Sequence, residues 1–279
     1  MDNTLNAFLR GIIEAATEFL PVSSTGHLFL FSYFFPFENL QVDHESFEDL
    51  FDIFIQTGAI LSVVVLYFQL LWKQTKGAVL FLTKNSTDKS GFEFYRNLII
   101  GILPILILGF VFKNFLDQIK MRSDLLLILG LSWLVGGLIM VFVEWKHYDE
   151  GEGKSIGIKE SIFVGIFQCF ALIPGVSRSA ATIITARTLG VSKKDSAEFS
   201  FFLAIPVLTL AGLYKLYKHR SILNSETIGL LLFGSIVSFI ICYFIIRLFM
   251  AFIRRRSFLS FGIYRILLGV LVVLYFLRS

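Results

Sequence analysis

The chain has 279 residues, 56% of them hydrophobic and 16% charged, with 32 phenylalanines and a formal net charge of +4. A mean hydropathy of +0.75 excludes an ordinary soluble domain and indicates a polytopic membrane protein. The positive charge does not point to nucleic acid, because the basic residues lie mainly in short loops at the ends of apolar runs, where they orient spans and meet anionic lipid headgroups.

Residues 1–18, MDNTLNAFLRGIIEAATE, lack a basic leader ahead of an apolar core and are read as part of the mature protein. Residues 5–36 give an apolar run, a Pro/Ser/Gly break and a second short apolar run, too interrupted for a straight span. Runs at 53–72, 97–115 and 124–145 follow, each close to the ~20 residues a spanning helix needs. A second interrupted segment occupies 157–192, and three more runs lie at 198–217, 228–250 and 260–277. The loop at 73–96, with Lys73, Lys76, Lys84, Lys89 and Arg96, and the loop at 251–259, with Arg254, Arg255 and Arg256, are predicted to be cytoplasmic. Counting outward from them places the loops near 116–123 and 218–227 outside, although these hold Lys120, Arg122, Lys218 and Arg220, and the loop 146–159 inside. Cys169 and Cys242 stand alone in apolar stretches, without metal-ligand spacing or a disulfide framework, and read as space-fillers.

The two interrupted segments align at an offset of 154: GIIEAATEFLPVSSTGHL (11–28) against GIFQCFALIPGVSRSAAT (165–182). Gly11 meets Gly165, Ile12 meets Ile166, Val22 meets Val176, Ser23 meets Ser177, and Glu14 meets Gln168. Each copy precedes three spans, an odd number, so the copies enter the membrane from opposite sides. The predicted fold is an all-α polytopic membrane protein: six transmembrane helices plus two re-entrant helix-loop-helix pairs, in an inverted-topology repeat of one membrane domain, with halves of about 1–150 and 151–279. Such repeats bring broken helices together near the midplane, where free backbone groups line a protein-walled cavity.

That places the polar residues. Glu14 and Glu18 are four apart on one helix face, and each ionised carboxylate at depth costs roughly 2.5–3.5 kcal/mol. Their work is to share a proton, hold a divalent cation or act as a general base; the plain alternative is a structural ion pair or protonated acids at a helix interface. PGVSRSAAT (174–182) sets Arg178 between Ser177 and Ser179, with Thr182 one turn on and a Pro-Gly turn before it. A turn feeding a helix N-terminus, with hydroxyls and a guanidinium, is a phosphate-binding device; the plain alternative is a hydroxyl-capped helix whose Arg snorkels to the interface.

EAATEFLPVSSTGH (14–27) and PGVSRSAAT resemble the two signature regions of the undecaprenyl-diphosphate phosphatase family, also called bacitracin-resistance proteins. The first fits (E/Q)xxxE followed by FLPVSSTGH, and the second fits PGxSRSxxT without departure; order, separation and hydropathy extend the likeness over almost the whole chain. The resemblance implies an inner-membrane enzyme that converts undecaprenyl diphosphate to undecaprenyl phosphate and inorganic phosphate, recycling the lipid carrier of cell-wall synthesis. Arg178, Ser177, Ser179 and Thr182 are assigned to the diphosphate oxygens, with Ser23, Thr25 and Gly175 in the same substrate-binding set. Ser24 is the first candidate nucleophile, with Glu18 or His27 as its base; a water activated by either, or direct attack by His27, stays open. Glu14 and Glu18 are candidate ligands for Mg²⁺ or Ca²⁺, and no organic cofactor is expected. The site is expected to face the outer side, and membrane lipid is the other partner; homodimerisation is left open.

Other polar residues receive smaller roles. Asp52 and Gln56 line a substrate approach, or Asp52 simply ends a helix; Arg247 and Arg265 pair with acids or snorkel; His44, His147 and His219 are solvent-exposed; Glu144 and Trp145 are interfacial anchors. Two other classes share some of these features. A secondary transporter uses the same ingredients, so a flippase or proton-coupled carrier of a polyprenyl phosphate lipid is the alternative. The lipid phosphatases with a histidine nucleophile are rejected, because SAATIITARTLG after Arg178 lacks the required histidine.

Overall fold

The computed structural model describes residues 2–120, 122–146 and 153–278, and His147 lies outside them. Among the described residues the regular structure is helical, apart from an isolated bridge between Lys154 and Val191. The first segment comprises α1 (Asn3–Thr17) and α2 (Ser24–Phe34), followed by α3 (His44–Phe54), α4 (Gln56–Leu66) and α5 (Phe68–Leu82). Next come α6 (Ser90–Val111), α7 (Lys113–Lys120) and α8 (Leu125–Lys146). The second segment holds α9 (Ile158–Phe167), a 3-10 turn and α10 (Arg178–Thr188), then α11 (Lys193–Lys218), α12 (Ser225–Arg255) and α13 (Leu259–Phe276).

Six helices, α3 joined to α4, α6, α8, α11, α12 and α13, are long and apolar enough to cross a bilayer, making this a multi-pass membrane protein. Three of them start on side-chain caps. The Asp43 carboxylate accepts from the Ser46 N–H at α3, Ser192 from the Asp195 N–H at α11, and Asn224 and Thr227 cap each other at α12.

The first span corrects the expected window of 53–72: it runs His44–Leu66, and the chain breaks at Tyr67 (φ −105°, ψ 16°) before α5. Hydropathy misses its beginning because HESFEDLFDIF carries four acids, yet three of them are partnered. Glu48 and Asp52 pair with Arg10 at 2.7 and 3.1 Å, and Asp49 pairs with Lys215. Asp52 is therefore an ion-pair partner of α1, while Gln56 is buried. His219, expected in solvent, is half-buried with Nε2 3.3 Å from Asp49; His44 is exposed. Glu144 is no interfacial anchor: it is buried, accepts from Arg187 Nε at 3.2 Å and from the Phe258 N–H at 3.0 Å. Trp145 does face outward, 75% exposed. Cys169 and Cys242 are free thiols.

In lipid, close backbone approach replaces water-driven burial as the source of helix association. A Cβ on Gly11 of α1 would stand 2.9 Å from the Gly234 carbonyl oxygen of α12, and one on Gly165 of α9 would stand 2.8 Å from that of Gly101 on α6. Between α8 and α13 the approach is reciprocal at Gly130 with Gly269 and at Gly137 with Gly262. Phe19, in the turn after α1, packs edge-on against Phe201 of α11 at 5.1 Å, anchoring that turn in the core.

Candidate active site

The two interrupted segments end their first helices differently and begin their second ones alike. α1 closes on Glu18 as its C-cap, whereas α9 runs through the 3-10 turn Gln168–Leu172. Ser23 (φ 77°) then caps α2, its hydroxyl accepting from the Gly26 N–H, and Ser177 (φ 72°) caps α10, its hydroxyl accepting from the Ala180 N–H. A non-glycine residue at positive φ costs roughly 1–3 kcal/mol and persists only where its surroundings over-determine it. Gly175, at φ 88°, also has no room for a Cβ, which would stand 2.9 Å from Ser132 Cβ. The first residue of α2 is Ser24 and the first of α10 is Arg178.

These two helix starts meet over one carboxylate. Glu18 Oε2 accepts from Ser24 Oγ at 2.5 Å, and Glu18 Oε1 accepts from Arg178 Nη2 at 3.0 Å. Arg178 Nη1 donates to the Ser200 carbonyl at 2.8 Å, while its Nε has no partner among the described residues. Glu18 and Ser24 are buried. The arrangement provides a hydroxyl with an acceptor for its proton, a guanidinium, and two helix N-termini, whose partial positive charge favours an anion.

Glu14 is 0% exposed, and neither carboxyl oxygen has a hydrogen-bond donor among the described residues. It stands one turn before Glu18 on the same face of α1, so a proton or a cation could be shared between the two carboxyls. The described residues contain no cluster of three or more His, Cys, Asp or Glu suited to a metal. Two carboxylates do fit Mg²⁺, which is commonly held by one or two carboxylates plus substrate phosphate oxygens.

The remaining candidates divide. Ser177 Oγ is 3.0 Å from Ser179 Oγ, and Ser179 donates to the Leu20 carbonyl at 2.8 Å, tying the second turn to the first. Thr182 Oγ1 is taken up 2.8 Å from Ser200 Oγ and 3.0 Å from the Arg178 carbonyl, supporting α10 on α11. Thr25 is exposed. His27 is not joined to Ser24: Nδ1 is 2.7 Å from the Ser23 carbonyl and Nε2 is 2.7 Å from the Tyr264 hydroxyl. A carbonyl only accepts, so Nδ1 carries the proton and, in the neutral ring, Nε2 accepts from Tyr264. The ring also sits edge-on to Trp133 at 5.2 Å, whose Nε1 donates to the Val22 carbonyl at 2.9 Å.

Sequence reasoning missed Tyr264, Trp133 and Ser200, and it left Arg265 outside the site. Among the described residues Arg265 pairs with no acid, and it does not snorkel; it is fully buried and donates to main-chain carbonyls of both turns and of α8. The available signal was a charged residue within an apolar run with no acid nearby on its own helix. Arg247 is exposed, 5.8 Å from the Tyr243 ring.

Comparison with known proteins gives a consistent set of relatives. The profile of the family described as bacitracin resistance protein BacA matches residues 7–271. An undecaprenyl-diphosphatase of Leptospira biflexa is 83% identical over 278 residues, covering 100% of both chains. One from Leptospira interrogans is 59% identical over 271 residues, covering 97% of each, and one from Psychrobacter arcticus is 40% identical over 273 residues, covering 97% of this chain and 94% of the relative.

Proposed function

The chain belongs to the bacitracin resistance protein BacA family, and from that premise we propose that it hydrolyses undecaprenyl diphosphate to undecaprenyl phosphate and inorganic phosphate. This activity returns the lipid carrier to peptidoglycan synthesis and fits the family's link to bacitracin resistance. The observation that carries the mechanism is the single Glu18 carboxylate accepting from both Ser24 and Arg178.

Phosphoryl transfer asks a protein chiefly for positioning and charge stabilisation. Arg178 and the starts of α2 and α10 hold the terminal phosphate. Ser24 Oγ attacks its phosphorus as Glu18 takes the hydroxyl proton; the new O–P bond forms, the anhydride bond breaks, and undecaprenyl phosphate leaves. Once Glu18 has lost that proton to solvent, water attacks the serine phosphate and gives Glu18 a proton; the new O–P bond forms, the Ser24 Oγ–P bond breaks, Glu18 returns the proton to Ser24 Oγ, and inorganic phosphate is released. Glu18 is the base rather than His27, because both imidazole nitrogens are engaged elsewhere. Glu14 and Glu18 would hold Mg²⁺ or Ca²⁺, which when bound neutralises charge on the diphosphate oxygens. Ser23, Ser177, Ser179 and Gly175 shape the two turns, Thr182 fixes α10, and Thr25 stands at the exposed edge.

The paired geometry supports the inverted repeat. Ser23 and Ser177, and likewise Ser24 and Arg178, are separated by the alignment offset and occupy the same places in their turns. Each half's first helix packs on the second span of the other half, and the third spans pack reciprocally. On this reading the halves are about 1–150 and 151–279, each opening with a re-entrant pair. Loop charge supports an inner-membrane orientation with the site toward the outside.

Purified protein is tested for phosphate release from undecaprenyl diphosphate, beside folded Glu18→Gln and Arg178→Ala, with and without chelator. Release by wild type and loss in both variants supports one hydrolytic site, and the chelator reports on the metal. No release, with lipid-phosphate movement in liposomes, replaces hydrolysis by transport.

A further inference from the structure

Arg265 of α13 is 0% exposed, and every described bond it makes is to a main-chain carbonyl. Nη1 donates to Pro21 at 3.3 Å and Val176 at 3.0 Å; Nη2 donates to Ser132 at 3.0 Å and Gly175 at 3.2 Å. Pro21 lies two residues before Ser23 and Gly175 two before Ser177, so one guanidinium grips the matching carbonyls of both strained turns. Room is made for it on α8, where a Cβ at Gly136 would overlap Nη2. A desolvated cation with no anionic partner costs several kcal/mol. Here the carbonyl dipoles compensate it, and the planar fork fixes where those carbonyls stand.

We propose that Arg265 is a positioning residue for hydrolysis: its carbonyl clamp sets the spacing of the two turns, and thereby the approach of Ser24 and Arg178 to the Glu18 carboxylate they share. Drawn toward Arg265, the carbonyl oxygens of the turns also keep their negative ends away from the phosphate. The proposal rests on the hydrolytic reading of the site. It makes Arg265 act through Ser24 and Arg178, without touching substrate.

The test uses the full-length protein and undecaprenyl diphosphate, measuring kcat, KM and melting temperature for wild type, Arg265→Lys, Arg265→Met and Gly136→Ala. Lys keeps the charge without the fork; Gly136→Ala keeps Arg265 but crowds its head group. Arg265→Lys and Gly136→Ala should stay folded with KM near wild type, while kcat falls about tenfold to a hundredfold, the scale of a misplacement near 1 Å. Folded Arg265→Lys or Arg265→Met with kcat within about threefold of wild type overturns the clamp. A rise in KM at unchanged kcat also overturns it, making Arg265 a substrate-binding cation. Unfolding of both Arg265→Lys and Gly136→Ala would make the clamp a requirement of the fold and likewise defeat the proposal. Absence of phosphate release by wild type sinks the hydrolytic reading itself, a result distinct from all of these.

Discussion

Replacing Glu18 with glutamine removes one negative charge and little volume, and the structure sets the cost in two currencies. In the free protein, the Arg178 guanidinium at 3.0 Å loses its carboxylate and keeps the Ser200 carbonyl at 2.8 Å. Breaking a buried ion pair from one side costs about 3–5 kcal/mol; the surviving amide oxygen still accepts from Arg178, so the loss should sit toward the lower end. In turnover, Ser24 loses its proton acceptor, and removal of a general base lowers rate by about 10²–10⁴. The assay is kcat for phosphate release at saturating substrate, with thermal melting in the same detergent. A diphosphate gives Arg178 a replacement anion, so added inorganic diphosphate should recover part of the melting loss in Glu18→Gln and raise wild type less. The cycle with Arg178→Met should be non-additive by about 0.5–3 kcal/mol, as for groups in direct contact. A folded Glu18→Gln protein with kcat within about tenfold of wild type would refute Glu18 as the base.

Three further outcomes follow from particular contacts. Gly26→Ala places a Cβ 2.5 Å from Trp133 Cζ2, an overpacking that should destabilise by about 1–3 kcal/mol; melting of the double variant with Trp133→Phe should recover part of it. Tyr264→Phe removes the hydroxyl from His27 Nε2 and should change kcat by less than about tenfold, whereas Ser24→Ala should lose more than about a hundredfold; the reverse order would return His27 to the role of base. Glu144→Ala removes the acceptor of Arg187 Nε and of the Phe258 N–H and should cost about 1.5–3 kcal/mol in stability, as for a lost hydrogen bond to a charged group, seen as a lower melting temperature, with KM of the surviving folded fraction unchanged.

The signature residues were legible because their information is local. Glu18, Ser24 and Arg178 stand beside turn-forming Pro, Gly and Ser, and the 154-residue offset predicts that positions 24 and 178 meet. What remained hidden depends on partners distant in the chain. Asp52 and Glu48 look like the solvated end of a span until Arg10 is seen between them. Glu144 looks interfacial until Arg187, 43 residues on, is placed against it. Arg265 was least legible, since its partners are carbonyls, which every residue possesses and no sequence pattern marks. His27 was visible as a candidate, but its orientation is decided by Tyr264, 237 residues away.

The convergence of α2 and α10 on Glu18 also determines a stoichiometry. A chain with two related turns, each opening a helix with a capping serine, has the raw material for two anion sites. Yet the first residue of one helix is a hydroxyl and that of the other a guanidinium, and both are spent on the same carboxylate. Each turn thus supplies a different half of one centre. Titration with a tight diphosphate ligand should therefore saturate at one equivalent per chain, and an excised half would lack both the partner group and the contacts from the other half that hold its turn.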